Sequence, residues 1–196
     1  MIGAIGLFLL ERKLLMADKI GKGHSSEIFA VKNGAGQKFV LKAEKTKSTR
    51  FQMAEREVEN LRKANGIGIG PRLVDFDLKK RAILMEFVDG KTFAQWLFSQ
   101  PAKKELLSFV KELLRQAKAL DSIGLDHGQL AGAGKNILVR EGRPVIIDFE
   151  KASCRRKCHN LSVIKAFLFR NPRGAVAAKV REIIGEKEIE KLLFQT

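Results

Sequence analysis

The period of the apolar residues changes once along this chain, and that change limits the possible folds more than any other feature. Between residues 14 and 87, apolar and polar residues alternate in short runs divided by glycine. Residues 14–20, 27–31, 39–43, 72–76 and 81–87 read as strands, with Asn33-Gly34-Ala35-Gly36 as a hairpin turn. One helical segment interrupts them at 51–64, where Phe51, Ala54, Val58 and Leu61 share a face and Asn65-Gly66 supplies a stop. After Asp89-Gly90 the pattern turns helical: a short helix at 92–98, then a long one opened by Pro101. In the long helix Leu106, Val110, Leu113, Ala117 and Leu120 line up. Two short apolar strands, 136–140 and 144–148, follow a loop at 124–135. Helices are expected at about 159–170, 174–184 and 187–194. The predicted class is α+β. Residues 1–87 form a small antiparallel sheet with one helix, a hinge lies near 88–90, and residues 88–196 form a reduced, mostly helical second lobe.

Length and composition narrow the field. A chain of 196 residues with 45% hydrophobic and 30% charged residues is globular and long enough for a sizeable core. Thirty-seven Lys and Arg against 22 Asp and Glu leave +15 at neutral pH, which favours polyanionic partners: ATP phosphates, RNA or a ribonucleoprotein. Two cysteines, Cys154 and Cys158, cannot build a disulfide framework and suit a reducing, cytoplasmic setting. The apolar run at 1–10 is too short to span a membrane. Its positive charges follow it, the reverse of a signal peptide, so it is expected to pack as a first helix or strand.

Four pieces carry chemistry, each weak alone. Gly21-x-Gly23-x-x-Ser26, with Ser25 inside it, lies between two strands, where glycines let backbone N–H groups approach phosphates. Taken alone it also describes an ordinary hairpin. Lys42 ends an apolar strand, placed to reach phosphates or to be an edge charge. Glu57 lies on the helix, able to pair with Lys42 and aim it. Finally His127-Gly128-Gln129 precedes Lys135-Asn136 and the run Val145-Ile146-Ile147-Asp148-Phe149-Glu150. A carboxylate closing a buried strand, with an amide oxygen opening its partner strand, suits magnesium, which prefers few protein oxygens plus phosphate oxygens.

In this order the pieces resemble the protein-kinase signature. The chain is similar to small, divergent members of the protein-kinase-like superfamily. These include RIO kinases, the kinase subunit of the KEOPS tRNA-modification complex and small archaeal serine/threonine kinases. The resemblance covers roughly residues 14–170. It implies a two-lobed kinase-like fold and an ATP- and Mg2+-dependent kinase or ATPase, acting on Ser/Thr of itself or of a protein acceptor. It implies that the Gly21–Ser26 loop covers the phosphates, that Lys42 holds them and pairs with Glu57, and that Met85 backs the adenine pocket. The backbone of Glu86 and Phe87 would bind adenine, and Asn136 and Asp148 would hold the metal.

The sequence also departs from that pattern. Gln129 stands where the family places its catalytic aspartate, and an amide cannot take up a proton. The Gln129–Asn136 spacing is two residues longer than usual, through Ala131-Gly132-Ala133-Gly134. Asp126 acting through water, or Lys135 neutralising the γ-phosphate, are the candidate compensations. Loss of catalysis altogether would leave a pseudokinase scaffold, and His127-Gly128 also fits a small-molecule phosphotransferase. Glu150 replaces the glycine of Asp-Phe-Gly. Residues 151–181 hold nine Lys and Arg and no acid, a candidate strip for RNA or a ribonucleoprotein.

Overall fold

A computed structural model describes residues 3–22, 26–45 and 52–194. The chain divides into two compact units. The first comprises Met1–Gly66 and Pro71–Phe87; the second comprises Ile67–Gly70 and Val88–Thr196.

In the first unit, helix α1 (Ala4–Glu11) leads into strands β1 (Leu14–Lys22), β2 (Ser26–Asn33) and β3 (Lys38–Glu44). Helix α2 (Met53–Asn65) and strands β4 (Leu73–Asp77) and β5 (Ala82–Glu86) complete it. The antiparallel sheet runs β1-β2-β3-β5-β4. The apolar start of the chain is the helix α1. Its Phe8 and Leu9 close a core with Leu14, Val31, Phe39, Leu41, Ala82 and Leu84. Strand side chains alternate between faces, so Phe39 and Leu41 under α1 send Val40 and Lys42 to the other face. Opposite them in register lie Met85 and Ile83. Helix α2 contacts β3, β4 and β5 through its buried stripe, which includes Ala54, Val58 and Leu61. Phe51, expected on that stripe, lies outside the described residues. The helix starts where Glu44 accepts the Ala54 N–H (3.3 Å) and ends at Asn65. The Asn65 amide then ties down the following turn, donating to Pro71 O (3.0 Å) and accepting from Leu73 N–H (2.8 Å).

The second unit is mostly helical. Gly90 admits a two-residue strand that the sequence did not announce, β6 (Lys91–Thr92), which pairs with β7 (Ile137–Arg140). A Cβ at Gly90 would sit 2.3 Å from Val139 O. Thr92 caps α3 (Phe93–Phe98) through a capping box with Gln95. Helix α4 (Lys103–Ser122) buries the expected stripe Leu106, Val110, Leu113, Ala117 and Leu120. Phe109 of α4 stacks on Phe93 at 5.0 Å. Strand β8 (Arg143–Ile146) pairs with β7. Helix α5 (Asn160–Lys165) continues as a π-turn over Ala166–Arg170, then α6 (Ala175–Ile184) and α7 (Glu186–Phe194) follow. Helix α4 packs on α5 and α6. Among the described residues no helix is long and apolar enough to cross a membrane.

Candidate functional site

The predicted site residues fall into two sets, one in each unit. In the first, β1 and β2 flank the glycine-rich turn. Gly21 lies on β1 opposite Ile28, and Ser26 begins β2 and is buried. Gly23 and Ser25 lie outside the described residues. Lys42 and Glu57 come together: Lys42 Nζ stands 2.7 Å from a Glu57 carboxylate oxygen, their side chains 9% and 4% exposed. Two such groups are rarely buried unless they are paired. Met85 is buried beside Val40 in register. The Glu86 N–H donates to Arg72 O (2.9 Å), and its carboxylate accepts from Arg72 N–H (3.1 Å). Phe87 carries the Lys38 ammonium over its ring.

In the second unit a loop between α4 and β7 carries the other set. His127 is fully buried, edge-on to Phe149 at 5.0 Å. Its Nδ1 accepts the Gln129 N–H (3.3 Å), so the ring proton sits on Nε2 and is donated to Ile147 O (3.0 Å). Burial holds the imidazole below its ordinary pKa, so it is neutral. Asn136 donates from Nδ2 to Gln129 O (2.9 Å), which turns its own Oδ1 away from that bond. The extra loop residues are taken up by a 3-10 turn over Gly132–Gly134, entered through Gly132 N–H to Gln129 O (3.1 Å) and closed by Lys135 N–H to Gly132 O (3.0 Å). Lys135 is exposed just after it. Asp148 follows β8 at φ +67°, a left-handed conformation that aspartate tolerates better than most residues. The chain then enters a 3-10 turn at Phe149–Lys151, which carries Glu150.

Asp126, the sequence's substitute base, pairs with an arginine. Its carboxylate accepts from Arg156 Nε (3.0 Å) and Nη2 (2.9 Å), and its backbone exchanges two hydrogen bonds with Ser153. Both of these guanidinium contacts reach the same oxygen, Oδ2. The backbone of the following segment explains Gly128. At φ +76° a Cβ there would stand 2.4 Å from Arg156 Nη2 and 2.9 Å from Lys151 O.

Three residues that sequence reading passed over, or saw only as charge, organise this loop: Asp121, Asn160 and Arg156. Asp121, at the end of α4, accepts from the N–H groups of Asn160 and Leu161 (3.0 Å each), capping α5 from another helix. Asn160 is buried; its Oδ1 takes the His127 N–H (2.9 Å). Its Nδ2 donates to Asp121 Oδ1 and Leu125 O (2.8 Å each). A signal did exist. A carboxylate in a helix's last turn opposes the helix dipole, so Asp121 needed another reason to be there.

Much of the basic strip is also engaged internally. Besides Arg156, Lys165 donates to Leu193 O, Lys179 pairs with Glu182, and Arg181 pairs with Glu186. Arg155, Lys157, Arg170 and Arg173 are exposed. Cys154 and Cys158 are reduced thiols, not joined in a disulfide.

A five-stranded antiparallel sheet with a buried Lys–Glu pair, followed by a helical unit with an Asn loop and a strand-closing Asp, defines a protein-kinase-like α+β chain. The family model of the RIO domain matches residues 15–166, and the chain belongs to the RIO-domain family. Two relatives are similar to it. An uncharacterized protein of Methanocaldococcus jannaschii is 32% identical over 98 residues, 50% of this chain and 81% of that protein. KEOPS complex subunit Bud32 of Pyrococcus abyssi is 34% identical over 95 residues, 48% of this chain and 42% of that protein. The match thus spans less than half of the Bud32 protein.

Proposed function

We propose that this protein is an ATP- and Mg2+-dependent phosphotransferase or ATPase of the RIO-like type, acting in the cytoplasm on a Ser or Thr of itself or of a protein acceptor. The observation that carries this reading is the buried Lys42–Glu57 pair, 2.7 Å apart, in a chain of the RIO-domain family. Glu57 aims the Lys42 ammonium at the α- and β-phosphates. Residues 21–26 cover them, Met85 backs the adenine, and Glu86 and Phe87 meet its edge. Asn136 Oδ1 and the Asp148 carboxylate are hard oxygen donors, and the Asn136 bond to Gln129 O leaves that oxygen available, so the pair suits magnesium. When bound, the ion neutralises phosphate charge. Lys135 adds positive charge at the γ-phosphate.

Gln129 favours a second reading, a pseudokinase that binds nucleotide and scaffolds a complex. The tying of Asp126 to Arg156 adds to it. The relationship to a KEOPS subunit supports a role inside an assembly. RNA or a ribonucleoprotein is the proposed partner for the exposed arginines and lysine of residues 151–181.

Labelled γ-phosphate decides between the readings. Wild type should turn over Mg-ATP, and both Lys42→Ala and Asp148→Ala should lose at least about 100-fold. Equal turnover in Asp148→Ala would sink the site. No turnover, with a nucleotide-dependent rise in melting temperature, selects the pseudokinase.

A further inference from the structure

We infer that the lysine row on the outer face of α4 is a docking surface for the phosphate backbone of an RNA. The inference rests on the reading of an RNA partner and deepens it, by giving that partner a second element to hold. Lys104, Lys111 and Lys118 recur every seven residues. Seven residues are just under two helical turns, so the three lie in one row along α4, with about 10 Å of helix between each and the next. All three are exposed. At the start of the row Lys103, Lys104, Leu107, Ser108 and Lys111 line a concavity of about 560 Å3. At its far end the row meets Lys165 of α5 and Arg170. Burial, and after it the charges of Arg170 and Lys118, hold the Lys165 ammonium below its ordinary pKa. Three cations from separate stretches of chain are therefore gathered at that end.

The carboxylates on and beside α4 have partners of their own. Glu105 accepts the Ala102 N–H (3.1 Å), and Glu112 holds Arg115 (2.6 Å). Glu188 of α7 holds Lys191 (2.7 Å) while also feeling Lys103 and Lys111. Among the described residues, none of Lys103, Lys104, Lys111, Lys118 and Arg170 is within ion-pair distance of a carboxylate. Gathering like charges costs free energy, and a polyanion offsets that cost while releasing its own counterions. The shape favours RNA over a flat anionic bilayer. A helix that lies on a bilayer presents large apolar side chains to insert, whereas the apolar residue here, Leu107, is half-buried in the concavity. A row about 20 Å long suits a chain of phosphates. Lysines hold phosphates as point charges and read no bases, so the docking should be indifferent to sequence.

The test titrates labelled bulk tRNA with the full chain from about 50 to 300 mM KCl. Lys104→Gln/Lys111→Gln/Lys118→Gln should bind at least about tenfold more weakly near 100 mM salt. Its log–log salt slope should be shallower by about 2–3, from about 0.7–0.9 for each phosphate released. The same three lysines changed to Arg should stay within about threefold of wild type, because the charge is kept. Lys13→Gln/Lys32→Gln/Lys79→Gln removes the same net charge from exposed sites of the first unit, and should weaken binding less than about threefold. The substituted α4 sites are exposed, so the triple variant should fold. If it does not, the three single variants carry the test, each with a slope lower by about 0.7–0.9. Wild-type affinity and slope in the α4 variant, or an equal loss in the first-unit variant, overturns the inference. If only Arg155→Gln/Lys157→Gln/Arg173→Gln loses binding, the RNA reading stands and the α4 row is not its surface. If wild type itself binds no tRNA, the RNA reading has failed first and the inference falls with it. Binding to phosphatidylserine–phosphatidylcholine vesicles that the α4 variant loses, with tRNA binding unchanged, would assign the row to a membrane instead and overturn the inference as well.

Discussion

Lys42 and Glu57 show what one buried ion pair demands. Each alone would be a buried charge, and together they pair at 2.7 Å. Removing one partner of such a pair typically costs about 3–5 kcal/mol, whereas replacing both by apolar residues is often near neutral. Lys42→Met should therefore be destabilised by about that much, and Lys42→Met/Glu57→Leu should return close to wild type in urea unfolding, while both lack turnover. Equal losses in the two would mean that the pair is not thermodynamically coupled. His127 makes the complementary case, a titratable group kept neutral. Burial pushes its pKa below the ordinary 6.5, outweighing the raising effects of the Ile147 bond and of Asp148 and Asp126. With the folded value depressed, the unfolded chain binds the proton first. Stability is therefore full above about pH 6.5 and falls as pH drops from there toward the folded value. His127→Gln should flatten that part of the profile between about pH 7 and 5. Parallel profiles would show that another group sets the acid limb.

At the scale of elements, loops joined across the chain decide more than helix or strand propensity does. The segment after Asp148 returns to the Gln129 loop through the Asp126–Ser153 bridge and the Arg156 guanidinium. At Gly128 the two segments approach closely. Gly128→Ala meets both a left-handed backbone and the Lys151 carbonyl, and should cost about 1–3 kcal/mol in thermal or chemical unfolding. A neutral result would show that the segment moves aside cheaply. The elements themselves were largely legible. The strands, the Asn33–Gly36 turn and the α4 stripe lie close to where the sequence predicts, although burial does not alternate strictly along β2 or β3. The exceptions are short or irregular: β6 has two residues, too few for any period to register, and α5 widens into a π-turn at Ala166–Arg170.

For the whole molecule, the +15 charge is distributed less freely than a residue count suggests. Arg156, Lys165, Lys179 and Arg181 serve internal contacts, while Arg155, Lys157, Arg170 and Arg173 are exposed. Binding of bulk tRNA should weaken steeply with salt. Neutralising those four should lower the log–log slope by about 0.7–0.9 for each phosphate they had neutralised. A slope near zero in wild type would remove RNA from the list of partners. Across the molecule, the sequence by itself determined the order of the longer elements after residue 14 and singled out Lys42, Glu57, Asn136 and Asp148 as candidates, because apolar period and local spacing are written into neighbouring residues. Only the tertiary structure decided that Lys42 meets Glu57 in a buried pair, that Asp126 is held by Arg156, and that Asp121 and Asn160 brace His127. Those pairings join residues 15 to 39 positions apart, and a hydrogen bond between such residues leaves no periodic trace in the chain. It exists only once the core has brought the partners within about 3 Å.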